Sequence, residues 1–139
     1  MQYSRIMGLD YGEVRIGIAF SDLLQMISSP FETYKRRSLI FDLDYLKNLI
    51  KEKEVSLIVM GLPLNMDGTE GERALKTREF GSELSKISGV NIVYVDERLT
   101  SLEAEEMLIQ AKVRREKRKE IIDKLAAQII LETYLKSKK

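Results

Sequence analysis

"MGLDYGEVRIGIAFSD", residues 7–22, is the stretch on which the fold turns. Apolar runs at 5–9 and 14–20 flank "DYGE", whose Asp and Gly suit a tight reversal, so the segment reads as a β-hairpin. Asp10 is the odd member: a carboxylate closing an apolar strand, with Gly12 next and Arg15 just beyond. A turn can use such a side chain for its own backbone bonds, which leaves Asp10 open between turn residue and chemistry. The rest of the chain must supply its partners.

Outward from the hairpin, a third strand is expected around Met26–Tyr34, with Pro30 marking an edge or a bend. Leu39, Leu43, Leu46 and Ile50 recur at helical spacing between Ser38 and Lys53. "VSLIVMGL" is a short apolar run closed by Gly61 and Pro63, the pattern of a strand buried on both faces. After the polar loop "NMDGTEG", Thr69 with Glu72 fits a capping box opening a helix to about Ile87. "VNIVYV" is another buried strand, ending at Asp96. Thr100 with Glu103 fits a second capping box for a helix to about Gln110, and a last helix is expected from about Glu120 to Lys136. Three successive strands followed by strand–helix alternation predict a mixed α/β sheet, antiparallel at the start and parallel beyond, with helices on both faces.

Length and composition suit a single domain over residues 1–139: 44% apolar and 32% charged residues are those of a globular chain. No apolar run approaches membrane-spanning length, and residues 1–9 lack the plan of a signal peptide, so a cytoplasmic protein with no membrane partner is expected. Two absences narrow the chemistry. Without Cys there are no disulfides, thiol nucleophiles or cysteine-bound zinc, and without His the usual general base and transition-metal ligand are missing. Catalysis would then fall to carboxylates, hydroxyls, Lys, Arg or a hard cation, and oxygen-only sites favour Mg²⁺ or Mn²⁺. The net charge is +1, yet "KVRREKRK" (112–119) carries six basic residues in eight.

In open sheets of this kind, sites form beyond the C-terminal ends of parallel strands. Asp10, the "GLPLNMDG" loop and Asp96–Glu97 all stand at such ends, and so converge on one edge. On a helix from Glu120, Asp123 shares a face with Ala127, Ile130 and Tyr134, toward the sheet. An ionised carboxylate there needs a partner. A divalent cation shared with Asp10 and Glu97 would serve; so would the dipole of a first helical turn.

The motifs "GLDYGEVRIGIAFSD", "GLPLNMDGTEG", "DERLTS" and "IIDKLAAQIIL" resemble, in order and spacing, the YqgF/RuvX family of ribonuclease-H-like proteins. The likeness covers nearly the whole chain. It implies a ribonuclease-H-like sheet, a three-stranded antiparallel meander joined to parallel strands. It also implies a metal-dependent nuclease, described in the family both as maturing the 5′ end of pre-16S ribosomal RNA and as resolving Holliday junctions in branched DNA. By that resemblance Asp10, Glu97 and Asp123 become the acidic, Mg²⁺- or Mn²⁺-binding set, with Asp67 and Asp96 as alternatives to Glu97. Some relatives carry the middle acid after the preceding strand, where this chain has Gly61 and Leu62. Arg15, Asn65, Arg98, Arg114, Arg115 and Arg118 are the candidate nucleic-acid contacts. Gly12 and Gly17 are expected either to turn the hairpin or to admit a nucleic-acid strand. Monomer and homodimer both remain open. Two rivals stand beside this reading: an ATP-binding fragment of the actin and sugar-kinase type, and a non-catalytic RNA-binding assembly factor.

Overall fold

The computed structural model describes residues 3–98 and 100–138, with side chains at all of these except 100–103, 105, 116, 119 and 120. Five strands, β1 (Arg5–Tyr11), β2 (Arg15–Ser21), β3 (Ser28–Lys35), β4 (Val55–Leu62) and β5 (Asn91–Asp96), form one sheet in the order β3-β2-β1-β4-β5. β1–β2 and β2–β3 pair antiparallel, and β1–β4 and β4–β5 pair parallel, as the pattern of runs predicts. Pro30 lies on the edge strand opposite Ala19, where the register of β2 and β3 shifts, so its missing N–H costs no regular ladder bond. No helix among the described residues is long and apolar enough to cross a membrane.

Alternation along β1 divides its side chains between two cores. Met7 and Leu9 join Ile16, Ile18, Ile58 and Met60 beneath α1 (Leu39–Glu52) and α2 (Glu72–Ser88). Ile6 points the other way, with Ala19 and Val59, against Ala127, Ile130, Leu131 and Leu135 of α4 (Arg115–Ser137). α3 (Thr100–Gln110) packs on α4. Asp10 therefore lies on the α4 side by register, at the C-terminal edge of β1.

Two helix starts differ from the sequence-based expectation. α2 begins after Gly71, which makes no side-chain cap; Thr69 instead donates its hydroxyl to Asp67 Oδ1 at 2.6 Å, inside the loop. The side chains of the second expected capping box, Thr100 and Glu103, lie outside the described residues. α4 starts at Arg115, five positions before Glu120. The basic run is thus a corner between helices: Lys112 takes the left-handed conformation (φ 60°), and Val113 N–H closes on Leu108 C=O at 2.9 Å. Asp123 stands in the third turn of α4, where the helix dipole has faded, so a first-turn role no longer accounts for it.

Candidate active site at the C-terminal sheet edge

α4 reaches its position through missing side chains. An added Cβ on Gly8 would lie 2.8 Å from Ala127 O and 2.9 Å from Leu131 Cβ, and one on Gly17 would overlap the backbone carbonyl of Asp123. Gly17 therefore admits a helix and not a nucleic-acid strand, which corrects one of its two expected roles. Gly12 does turn the hairpin, its N–H donating to Arg15 C=O at 2.9 Å. With Asp123 seated over Gly17 and Ala127 over Gly8, the first turns of α4 overhang the sheet edge. Arg115 stands eight residues before Asp123, roughly 12 Å further out at 1.5 Å per residue.

Under that overhang the chain gathers its acids. Glu97 follows β5 directly, and its N–H donates to Leu62 C=O at 3.2 Å, which carries the β4–β5 ladder one step past Asp96. Its Oε2 lies 2.7 Å from the place a Gly61 Cβ would take. The space a side chain at Gly61 would need is thus taken here by the Glu97 carboxyl and by Ile130 Cδ1, 2.5 Å from the same point. Glu97 meets Asp10 side chain to side chain. Burial raises the Asp10 carboxyl; the hydrogen bond from Glu97 works against this and the nearby Asp123 charge adds to it. Burial, with the charge of Asp10, pushes Glu97 up to about 9. Two like charges side by side in a desolvated place disfavour full ionisation of the pair, and the hydrogen bond runs from Glu97 to Asp10.

Asp123 is close enough to raise Asp10, but its Oδ2 accepts from Arg15 Nε at 2.6 Å. No three acidic side chains among the described residues converge as a ready metal cage. The other two acids named as alternatives are engaged elsewhere. Asp96 pairs with Arg98 at 2.7 Å, and that arginine lowers its carboxyl. Asp67 is lowered by bonds from the Thr69 hydroxyl and N–H. The structure thus brings Glu97 to Asp10, and neither Asp67 nor Asp96.

Of the candidate nucleic-acid contacts, Arg15 is paired with Asp123 and the other five fall into three groups. Arg98 and Asn65 organise the β4–α2 loop: Arg98 Nη1 donates to Met66 C=O at 3.1 Å, and Asn65 Nδ2 donates to Thr69 Oγ1 at 2.9 Å. Arg114 and Arg115 are exposed at the overhanging end of α4. Arg118 is half-buried and donates to Val113 C=O at 3.2 Å, so it also ties the corner together.

Two features escaped sequence reasoning. Arg73, in the first turn of α2, bears on both Asp10 and Glu97 and lowers each. Its only sequence signal was its place just after "NMDGTEG". The second is a brace behind the hairpin turn. Asp42 is fully buried and accepts from Tyr34 Oη (2.8 Å), Arg36 Nε (2.9 Å) and Arg37 N–H (2.9 Å). Arg36 passes the connection on to Tyr11 Oη at 2.8 Å and to Gly12 C=O at 3.2 Å, beside Asp10. Burial alone would raise Asp42, but these donors hold it below its ordinary range.

Comparison with known proteins gives a consistent answer. A family model described as "RuvX: Holliday junction resolvase" matches residues 4–137. A protein of Endomicrobium trichonymphae named "Putative pre-16S rRNA nuclease" is 50% identical over 133 residues, covering 95% of each chain. One of the same name from Halothermothrix orenii is 50% identical over 131 residues, covering 94% of each. Among solved structures, Thermus thermophilus RuvC in complex with a Holliday junction aligns with a TM-score of 0.61 at 13% identity, over 98% of this chain and 96% of that one. A fowlpox virus resolvase aligns with a TM-score of 0.61 at 11% identity, over 96% and 97% of the two chains. At those identities the likeness is one of fold: the ribonuclease-H-like sheet expected from the sequence.

Proposed function

The chain belongs to the RuvX family, and from that premise we propose that it is a metal-dependent nuclease hydrolysing phosphodiester bonds, with precursor 16S ribosomal RNA as its substrate. One observation carries the reading: two half-buried carboxylates, Asp10 and Glu97, meet at the sheet edge, where desolvation raises both. The donor set fits a hard divalent ion, being all oxygen with a third carboxylate, Asp123, on the adjoining helix. When bound by these residues, paired Mg²⁺ or Mn²⁺ ions supply an activated water and neutralise charge on the leaving oxygen of a phosphodiester.

The chain's own groups do the rest. Asp10 and Glu97 would hold the cation as carboxylates, with Asp123 on the adjoining helix as the third oxygen donor. Arg73 stands beside both and offsets the negative charge the pair acquires. Arg114, Arg115 and Lys117, on the overhang, attract the phosphate backbone across the site. The 65–71 loop, tied by Arg98 to Met66 C=O, follows β4 at the same sheet edge.

The test is hydrolysis by the purified chain of a precursor 16S fragment and of a four-way DNA junction, with Mg²⁺, Mn²⁺ or EDTA. Cleavage of the RNA that EDTA stops, and that Asp10→Asn slows by at least ~10²-fold, is the expected result. Faster cleavage of the junction would transfer the substrate assignment to branched DNA. Tight RNA binding without cleavage under any metal would make the chain an assembly factor.

A further inference from the structure

Asp123 differs from the other two acids in having a cation already attached. Its Oδ2 accepts from Arg15 Nε at 2.6 Å, whereas Asp10 and Glu97 have each other and the charge of Arg73. The helix cannot move to close the set, because the Asp123 backbone rests on Gly17 with no room for a methyl group. The side chains have more freedom: that of Arg15 is 48% exposed and that of Asp123 is 21% exposed. Arg15 engages Asp123 through Nε, and its two Nη groups make no hydrogen bond among the described residues. An ion pair so exposed is a weak tie. A phosphate offers a guanidinium two acceptors in a fork that matches it, and so competes well.

We infer that Arg15 is a positioning residue that exchanges partners: it holds Asp123 aside in the free protein and releases it toward Asp10 and Glu97 when a nucleic-acid phosphate takes the guanidinium. The acidic set then assembles only where substrate lies. Nucleic acid and divalent cation must consequently tighten each other's binding, by the same factor in both directions. The inference rests on the metal-dependent reading above and adds to it a substrate-gated third ligand.

The experiment measures Mn²⁺ binding by the loss of its free-ion electron paramagnetic resonance signal, with and without a short RNA made uncleavable by 2′-O-methyl groups. In the wild type the RNA should tighten Mn²⁺ binding at least ~5-fold. Arg15→Gln should bind Mn²⁺ several-fold more tightly without RNA, and its RNA effect should shrink by the same factor. Arg15→Lys, which keeps a charge for Asp123 but lacks the fork for a phosphate, should stay near the wild type without RNA and show a smaller RNA effect.

A field effect of the lost charge would also strengthen cation binding, so the decisive comparison is a double-mutant cycle. In an Asp123→Asn background, Arg15→Gln should change Mn²⁺ affinity little, because the effect runs through Asp123. An undiminished Arg15→Gln effect in that background, or no effect in the wild-type background, overturns the exchange. Asp10→Asn separates the two readings. If it leaves Mn²⁺ binding intact, the metal site itself falls and the exchange with it. If it abolishes binding while the cycle shows no coupling, the exchange alone falls.

Discussion

Replacing Gly17 with Ala tests whether the seat of α4 sets the geometry of the acids. Gly17 is opposite Asp10 in the β1–β2 register, and an added methyl there would overlap the carbonyl of Asp123 and stand 3.0 Å from Lys124 N. The obstacle is backbone on both sides, so no side-chain rotation relieves it. Reaching even a ~3.3 Å carbon–oxygen approach requires α4 to rise by more than ~1 Å at Asp123. Overpacking of this kind costs typically ~1–3 kcal/mol, and a rigid backbone contact belongs at the upper end. A ~1 Å displacement of a catalytic group can cost ~10²-fold in rate. Urea unfolding should therefore show a loss of about 3 kcal/mol, and the nuclease assay a rate some ~10²-fold lower. Gly8→Ala is the graded companion: its methyl would sit 2.8 Å from Ala127 O, a deficit of ~0.5 Å from the same ~3.3 Å approach, and should cost less on both counts. Gly89→Ala is the control. That residue has φ 73° with open space around it, so Ala should cost ~1–2 kcal/mol of backbone strain and leave the rate alone. Gly17→Ala with unchanged unfolding midpoint and rate would refute the reasoning, since α4 would then tolerate displacement at its closest contact.

The raised carboxyls of Asp10 and Glu97 bind protons in the folded chain that the unfolded chain releases. Metal-free stability should accordingly be greatest below about 4.5, the ordinary Glu value, and fall as pH rises toward about 9. Melts across that window should show a much shallower slope in Glu97→Gln. Asp42 has the opposite sign: its lowered carboxyl contributes stability present above 3.8 and lost as pH falls further. Asp42→Asn, which leaves the half-buried Arg36 without its fully buried counter-charge, should cost about 3 kcal/mol in urea unfolding. On the overhang, replacing Arg114, Arg115 and Lys117 with Ala should weaken RNA binding and reduce its log–log salt slope by up to ~3. Their exposure predicts little change in melting temperature. Arg118→Ala should lower the melting temperature as well, because the hydrogen bond to Val113 C=O goes with it.

Much of this molecule is legible in its local patterns. The turn chemistry of "DYGE" and the apolar runs around it specify the hairpin, and strand ends follow from where apolar runs stop. Asp10 and Glu97 could be placed on one edge for that reason alone: each closes or follows such a run in a parallel strand. The inward face of the last helix is also readable from its period, which directs Asp123 toward the sheet.

What the patterns could not carry was the identity of neighbours far apart in the chain. Asp123 needs a partner by its burial, yet its partner is Arg15, 108 residues away, because α4 crosses β2. Gly17 reads equally well as a turn residue or an open surface until the Asp123 backbone is found upon it. α4 starts earlier than its sequence pattern suggests because a lysine, Lys112, adopts the left-handed corner that usually announces itself as glycine. Thr69 and Glu72 have the spacing of a cap, but the loop's own donors and acceptors claim the threonine. In each case sequence determines which groups require burial, charge or a hydrogen bond. Tertiary structure decides who meets that requirement, because the interactions concerned are short-ranged in space and unconstrained in separation along the chain.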